Sequence, residues 1–355
     1  MKKTVSIKDI AKLTNSSITT VSFVLNGKGR ISEPTRKRIL EVAAQHGYYA
    51  NRMAVGLRTG ISKVIGLIVE NIGGQFFGVM AKIIEEEAER FGYRIIYCST
   101  NNNIEKGQDA IRMLSEQLVD GYIITPLKGL ENEVLNLAAN HKPVVLIDGY
   151  FPGLDIPHVL VDNIAGVKDG VTCLINSGYE KIGFVTIDLT LIQLEERLLG
   201  FKEALRLYDV KENRRNVLNL SSTLDNAECI EEIKAFIGNN RDLDAVFFST
   251  NYLGSLGLQS LKELNLKIPD DIAMISFDDN ELFSLYPPGI TSIKQPTYEI
   301  AKSAIDLLFS QIKDKQTDFS KIKIQLPATI IERGSTIRKP KISPDKVKRT
   351  KKSLI

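Results

Sequence analysis

The segment Ser17–Asn26, SITTVSFVLN, gathers the side chains of this chain best suited to recognition chemistry. Read at helical period, it turns Val21, Val24 and Leu25 inward and presents Ile18, Thr19, Ser22 and Phe23 on the opposite face. Hydroxyls and an apolar tip at that spacing suit the major groove of DNA, where base edges offer donors, acceptors and the thymine methyl. Residue types for catalysis are scattered instead. His46, His141 and His158 are the three histidines and have no ligand spacing; no Ser/His/Asp set and no phosphate-cradling glycine loop emerges. Neither catalysis nor a metal or other cofactor is expected. Cys98, Cys173 and Cys229 are odd in number, far apart and embedded in apolar sequence, the pattern of core thiols in a reducing cytoplasm.

Holding such a face steady requires a small scaffold, and the flanking residues supply one. Ser6 caps a first helix with Asp9 as its capping-box partner, and Ile7, Ile10, Ala11 and Leu13 follow at helical spacing. Thr14-Asn15-Ser16-Ser17 is a polar break in which Ser17 caps the second helix. A third helix over Ser32–Gln45 tolerates Pro34 in its first turn and buries Ile39, Leu40, Val42 and Ala43. Periodicity alone fits any three-helix bundle. Charge separates the readings: residues 1–62 carry eleven Lys/Arg against three Asp/Glu, net +8, whereas residues 63–337 are net −12. A basic head on an acidic body is what phosphate neutralisation requires.

A chain of 355 residues exceeds one average domain, and 43% hydrophobic with 25% charged residues is ordinary globular composition, which excludes global disorder. No apolar run approaches the ~20 residues that span a bilayer, and MKKTVSIKDI lacks the apolar stretch of a secretory signal. No membrane contact is expected. From residue 63 apolar runs alternate with helical stretches: Val64–Val69, Arg94–Cys98, Tyr122–Ile124, Val144–Ile147 and Val159–Val161, then Gly183–Val185, Val217–Leu220, Ala245–Phe248 and Ile272–Ser276. Two consecutive β-α sets predict two Rossmann-like lobes with parallel sheets, each with its ligand edge at the strand C-termini. The tail, residues 338–355, is basic, holds two prolines and lacks apolar heptads, so it is expected to be disordered.

In wording the head resembles the lac/galactose repressor family of bacterial transcription regulators. DIAKL (Asp9–Leu13), TTVSFVLNG (Thr19–Gly27), SEPTRKRI (Ser32–Ile39), NRMAVGLRTG (Asn51–Gly60) and SKVIGLIVENI (Ser62–Ile72) carry the likeness. It implies a helix-turn-helix DNA-binding domain over 1–49, a hinge helix over 50–61 and an α/β two-lobed periplasmic-binding-protein-like body over 62–337, for effector binding and dimerisation. Candidate DNA contacts are then Ser6, Ser17, Ile18, Thr19, Thr20, Ser22, Phe23 and Asn26, with Asn51, Arg52, Ala54 and Leu57 from the hinge. Family members fold the hinge on operator DNA and insert a leucine into the minor groove; Leu57 matches it, although Ala50 stands where Pro is usual. Family members often have arginine where Phe23 stands, so this half-site should favour A·T pairs there. In the second lobe the family's chain crosses back, so Tyr298–Lys313 should rejoin the first lobe and Ala328–Glu332 end in the second.

For the effector cleft the resemblance points to Phe76 and Phe77, to Arg197 ahead of Gly200-Phe201, and to Asn251 and Asp278 at strand ends. Asp162 is a further candidate, with its neighbour Asn163 read as the cap of the next helix. Arg197 offers a planar fork of donors suited to paired hydroxyls or a carboxylate. Tyr252 stands where Asp is usual, Gln75 where Pro is usual, and Leu191 and Gln193 at places often polar or basic. The pocket is thus more apolar than a standard monosaccharide site, with a sugar or sugar derivative as the expected effector. The resulting reading is a cytoplasmic homodimeric repressor on a pseudo-palindromic operator in double-stranded DNA. One alternative is a global regulator controlled by a phosphoprotein corepressor. A carbohydrate-binding transport protein shares the body fold, but the basic head and missing signal argue against it.

Overall fold

The structure, a computed structural model, describes residues 5–25, 27–48, 60–210 and 214–338. Asn26, residues 50–59 of the expected hinge with Asn51, Arg52, Ala54 and Leu57, and the tail beyond Arg338 lie outside these residues. The chain divides into two units, residues 1–63 with 115–120 and residues 64–114 with 121–355.

In the head, α1 (Ile7–Leu13), α2 (Ile18–Leu25) and α3 (Glu33–Gln45) pack around Ile10, Ala11, Val21, Val24, Ile39 and Ala43. The capping box forms as the sequence predicts, with Ser6 N–H donating to Asp9 Oδ2 at 2.9 Å. Ser17 Oγ accepts from Thr20 N–H at 3.0 Å and starts α2. One expected core position is corrected: Leu40 is 46% exposed, and Leu13, which falls at helical spacing in α1, is 55% exposed. Three short helices enclose only one row of side chains each, so an apolar residue one step off that row stays in solvent.

In the body, the first sheet has strand order β11-β5-β4-β3-β1-β2 and the second β12-β10-β9-β8-β6-β7. Strands β1 (Val64–Val69), β2 (Arg94–Ser99), β3 (Gly121–Ile124), β4 (Val144–Ile147) and β5 (His158–Val161) form the first lobe with α4 (Gln75–Arg90), α5 (Ile104–Glu116) and α6 (Glu131–Ala139). After β5 the chain crosses to α7 (Asn163–Asn176), β6 (Ile182–Ile187), α8 (Ile192–Leu207), β7 (Val217–Leu220), α9 (Asn226–Asn239), β8 (Ala245–Phe248), α10 (Asn251–Glu263) and β9 (Ala273–Phe277). A short α11 (Glu281–Leu285) and β10 (Thr291–Lys294) precede the return through α12 (Thr297–Lys313), which packs on α4 in the first lobe. β11 (Lys323–Leu326) joins β5 in parallel, and β12 (Thr329–Ile331) ends antiparallel to β10.

The alternation and both crossings agree with the sequence reading; β10, β11 and α11 were not foreseen, being too short to carry a period. Central strands such as β3 and β8 are buried along their whole length, which is why their sequences run apolar without alternation. In each sheet the order reverses beside one strand, β1 in the first and β6 in the second. Loops leaving those strands part in opposite directions and leave a crevice at their C-terminal ends.

The second lobe depends on a close helix crossing. A Cβ at Gly200 of α8 would lie 2.7 Å from the Ile164 carbonyl oxygen and 3.1 Å from its Cα, in α7. Backbone cannot move aside as a side chain does. Gly200→Ala is therefore expected to lower stability by about 1–3 kcal/mol, read as a shifted urea midpoint with unchanged slope. An unchanged midpoint would show that the two helices separate freely.

Candidate functional site

On the head, α2 turns Ile18 and Phe23 outward, 47% and 43% exposed, with Thr19 exposed beside them. Ser22 is half-buried on the same side. Phe23 does not enter the head's core. Its ring lies over the turn at Gly29, whose positive φ of 76° and missing Cβ let the ring approach; a Cβ there would sit 2.8 Å from Phe23 Cδ2. The hydroxyls of Ser17 and Thr20 meet at 2.8 Å, and that of Ser6 donates to Asp9 Oδ2 at 2.6 Å, so these three also hold the helix ends. Arg38 donates to the Thr14 carbonyl and ties α3 to the turn that aims α2.

In the body, a cleft of about 310 Å³ opens between the lobes at the strand ends. Phe76 and Phe77 enter it from the start of α4, Arg197 from α8, Asn251 from α10 and Asp278 from the end of β9. The two phenylalanines meet edge to face with centroids 5.1 Å apart; Phe77 is buried and Phe76 half-buried. Asp278 has a positive φ of 65°. Arg197 is 3% exposed. Its Nε donates to Asn163 Oδ1 at 2.9 Å, its Nη1 donates to the Ser249 carbonyl at 2.9 Å and reaches Asp278 Oδ2 at 3.5 Å, and its guanidinium lies 3.8 Å from the Phe277 ring centroid. A buried charge needs this full set of partners, and stripping one partner from such a pair costs about 3–5 kcal/mol.

One assignment is reversed. Asp162, not Asn163, caps α7, with its Oδ1 accepting from Ala165 N–H at 2.9 Å, and it is absent from the cleft lining. Asn163 is 2% exposed, holds Arg197 and donates through Nδ2 to Glu196 at 2.9 Å. Both residue types cap well, so local sequence could not separate them; the buried guanidinium does.

Sequence reasoning missed Asp148, Gln295 and Glu70 as cleft residues. Asp148 follows β4 with φ +64°, is half-buried and lines the cleft. Gln193 Nε2 donates to its Oδ2 at 3.1 Å across the two lobes. Burial pushes its carboxyl up to about 7; Arg197 and Gln193 oppose the rise, and Asp278 and Glu70 add to it. Burial likewise raises Glu70, with the hydrogen bond from Asn102 resisting, and raises the Tyr252 phenol at the cleft wall. Gln295 is 4% exposed; its Nε2 donates to Asp278 Oδ1 at 2.6 Å while its Oε1 has no partner among the described residues. Among the described residues no cluster of His, Cys, Asp and Glu could hold a metal ion, and no helix is long and apolar enough to cross a membrane.

A crevice at strand ends can hold a small ligand, and a helix face such as that of α2 can enter a groove. Comparison with known proteins pairs the same two parts. Residues 6–51 match the model of bacterial regulatory proteins of the lacI family, and residues 171–336 match the periplasmic binding protein-like domain. The chain is 30% identical to the HTH-type transcriptional regulator RegA of Clostridium saccharobutylicum over 94% of its own length and 99% of that protein. It is 31% identical to the HTH-type transcriptional repressor PurR of Vibrio vulnificus, over 88% of this chain and 93% of that one. A crystal structure of the lac repressor dimer bound to operator and the anti-inducer ONPF superposes with a TM-score of 0.82 at 21% identity, covering 95% of this chain and all of that one. With the head, the two-lobed body and these near-full-length relatives in agreement, the chain belongs to the lacI family of bacterial regulatory proteins and is a DNA-binding transcription regulator.

Proposed function

We propose that this regulator is a cytoplasmic homodimeric repressor that reads a pseudo-palindromic operator and releases or tightens it when a small molecule enters the cleft between its lobes. The observation that carries the reading is the exposed face of α2, with Ile18, Thr19 and Phe23 on a head of net charge +8. Each head supplies one half-site, and two-fold symmetry makes the operator palindromic. Residues 50–61 act as the hinge, Leu57 as the wedge in the minor groove and Asn51, Arg52 and Ala54 as its neighbours on the DNA.

The effector cleft uses Phe76, Phe77, Arg197, Asn251 and Asp278, with Asp148 and Gln295 added and Asp162 withdrawn. Arg197 and Gln193 stand on one helix, α8, and meet groups of both lobes, so a ligand that prefers one lobe closure shifts the head's affinity by the same factor as DNA shifts the ligand's. The formed cleft favours a small molecule over a phosphoprotein corepressor. No reaction is assigned to it: binding is its whole chemistry.

Selection of duplexes from a random pool tests the DNA half. Wild type should recover a palindrome, and Phe23→Arg should shift one symmetric pair of positions towards G·C, since arginine reads guanine through O6 and N7. Recovery of no common sequence by the wild type would overturn the reading. An unchanged preference in a folded, DNA-binding Phe23→Arg protein would remove Phe23 from the set of base contacts.

A further inference from the structure

The two residues that follow the expected hinge are held by a single carboxylate. Asp120 lies in the turn between α5 and β3, half-buried and next to the fully buried Val119. Its Oδ1 accepts from the Ser62 N–H at 2.8 Å and from the Ser62 hydroxyl at 2.9 Å, and its Oδ2 accepts from the Lys63 N–H at 3.0 Å. These donors lie 58 and 57 residues away in sequence, so no local turn accounts for the contact. Lys63 is kept at φ +59°, a left-handed backbone that residues other than glycine rarely adopt. Such a conformation persists only where its surroundings hold it, and hydrogen bonds to an ionised acceptor are the strong kind.

The point of attachment is itself rigid. Lys63 precedes β1 and Asp120 precedes β3, and these strands pair in parallel from Ile65 with Gly121 to Ile68 with Ile124. β3 is buried along its whole length and β1 from Ile65 onward. Asp120 therefore cannot drift, and whatever it holds is held in place.

We propose that Asp120 is a positioning residue for operator recognition: it fixes residues 62–63 at the start of the paired strands, so that the hinge enters the minor groove from a set point. The proposal rests on the reading of residues 50–61 as the hinge. Without the carboxylate, Ser62 and Lys63 regain backbone freedom that is lost again whenever the hinge orders on DNA. Phosphate contacts of the head need no ordered hinge, so random duplex is bound as before.

The test uses the full chain, with two probes: the palindrome recovered from the random-pool selection and a shuffled duplex of the same composition. Asp120→Ala should weaken palindrome binding at least about tenfold while leaving shuffled-duplex binding and its salt slope unchanged. Asp120→Asn keeps an acceptor for Ser62 but turns an amide donor on the Lys63 N–H, and should fall between wild type and Asp120→Ala. Ser62→Ala removes one donor of the three and should cost about threefold, with no further loss when added to Asp120→Ala. If Asp120→Ala does not fold, Ser62→Ala and Asp120→Asn carry the same comparison. Hydrogen exchange at the Lys63 amide should quicken in the Asp120 variants. Equal loss on both duplexes, an additive double variant, or an unchanged palindrome affinity in a folded Asp120 variant would each overturn the proposal. A wild type that prefers neither duplex overturns the hinge reading as well, and so shows as a different failure.

Discussion

Asp148→Asn is expected to make the body more stable above pH 7 while weakening its response to a hydroxyl-bearing ligand. The sign follows from the direction of the shift. Asp148 is raised from 3.8 to about 7 by burial, so between those values the folded protein holds a proton that the unfolded chain has released. Stability from this group falls as pH rises through that window and levels off above pH 7, where an ionised carboxyl is buried beside Asp278 and Glu70 with Arg197 and Gln193 as its only relief. Three pH units at about 1.4 kcal/mol each set the ceiling at roughly 4 kcal/mol. Asparagine keeps the shape and still accepts from Gln193. The gap in melting temperature between variant and wild type should be near zero at pH 4, grow to pH 7 and reach several degrees at pH 8. Parallel melting profiles across that range would mean that the carboxyl ionises freely. In the wild type, affinity for a ligand that donates a hydroxyl to this carboxylate should fall as pH drops below 7.

Operator affinity should collapse with salt to a degree few other properties of the molecule match. Eleven Lys/Arg against three Asp/Glu in residues 1–62 leave each head with net +8, and a dimer carries two heads. If about eight phosphates are neutralised, the slope of log K against log salt is about −7, and a fourfold rise in salt weakens binding about 10⁴-fold. A filter-binding or fluorescence titration from 50 to 200 mM KCl measures it. A slope shallower than about −2 would show that the basic residues of the head face away from the backbone of the duplex.

How far the sequence reached can be judged residue by residue. Arg197 was legible through the resemblance, which places an arginine ahead of Gly200-Phe201; a surface bridge to the adjacent Glu195 or Glu196 would in any case pair side chains that do not face each other on a helix. Observed burial at 3% agrees. Strand ends carrying Asn251 and Asp278 were legible because apolar runs stop abruptly there. Asp148 was not, because in Ile147–Gly153 nothing local separates a loop carboxylate in solvent from one enclosed by Arg197 and Asp278, residues brought in by α8 and by the end of β9. Gln295 was hidden for a related reason: β10, four residues long, gives no period to read. Asp162 and Asn163 were exchanged because both cap well and only tertiary packing ranks them. Leu13 and Leu40 fell on a helical period without a partner layer to cover them.

The double return of the chain has a consequence for how the protein is made. The head's core is complete by Tyr48, so it can fold while the ribosome is still building the body. Neither lobe shares that freedom. β5 lacks its outer neighbour until Lys323–Leu326 emerge, and β10 lacks its own until Thr329–Ile331 follow. Arg333 then clamps Asp279 through two hydrogen bonds of 2.7 and 3.0 Å, and Ser335 bridges the Met274 carbonyl to Thr291 N–H. A nascent chain halted before residue 320 would expose an unpaired edge on both sheets at once, a substrate for chaperones and proteases, while already displaying a folded head. Premature termination near the 3′ end of the message would therefore be removed by quality control before a ligand-blind protein could accumulate on its operator.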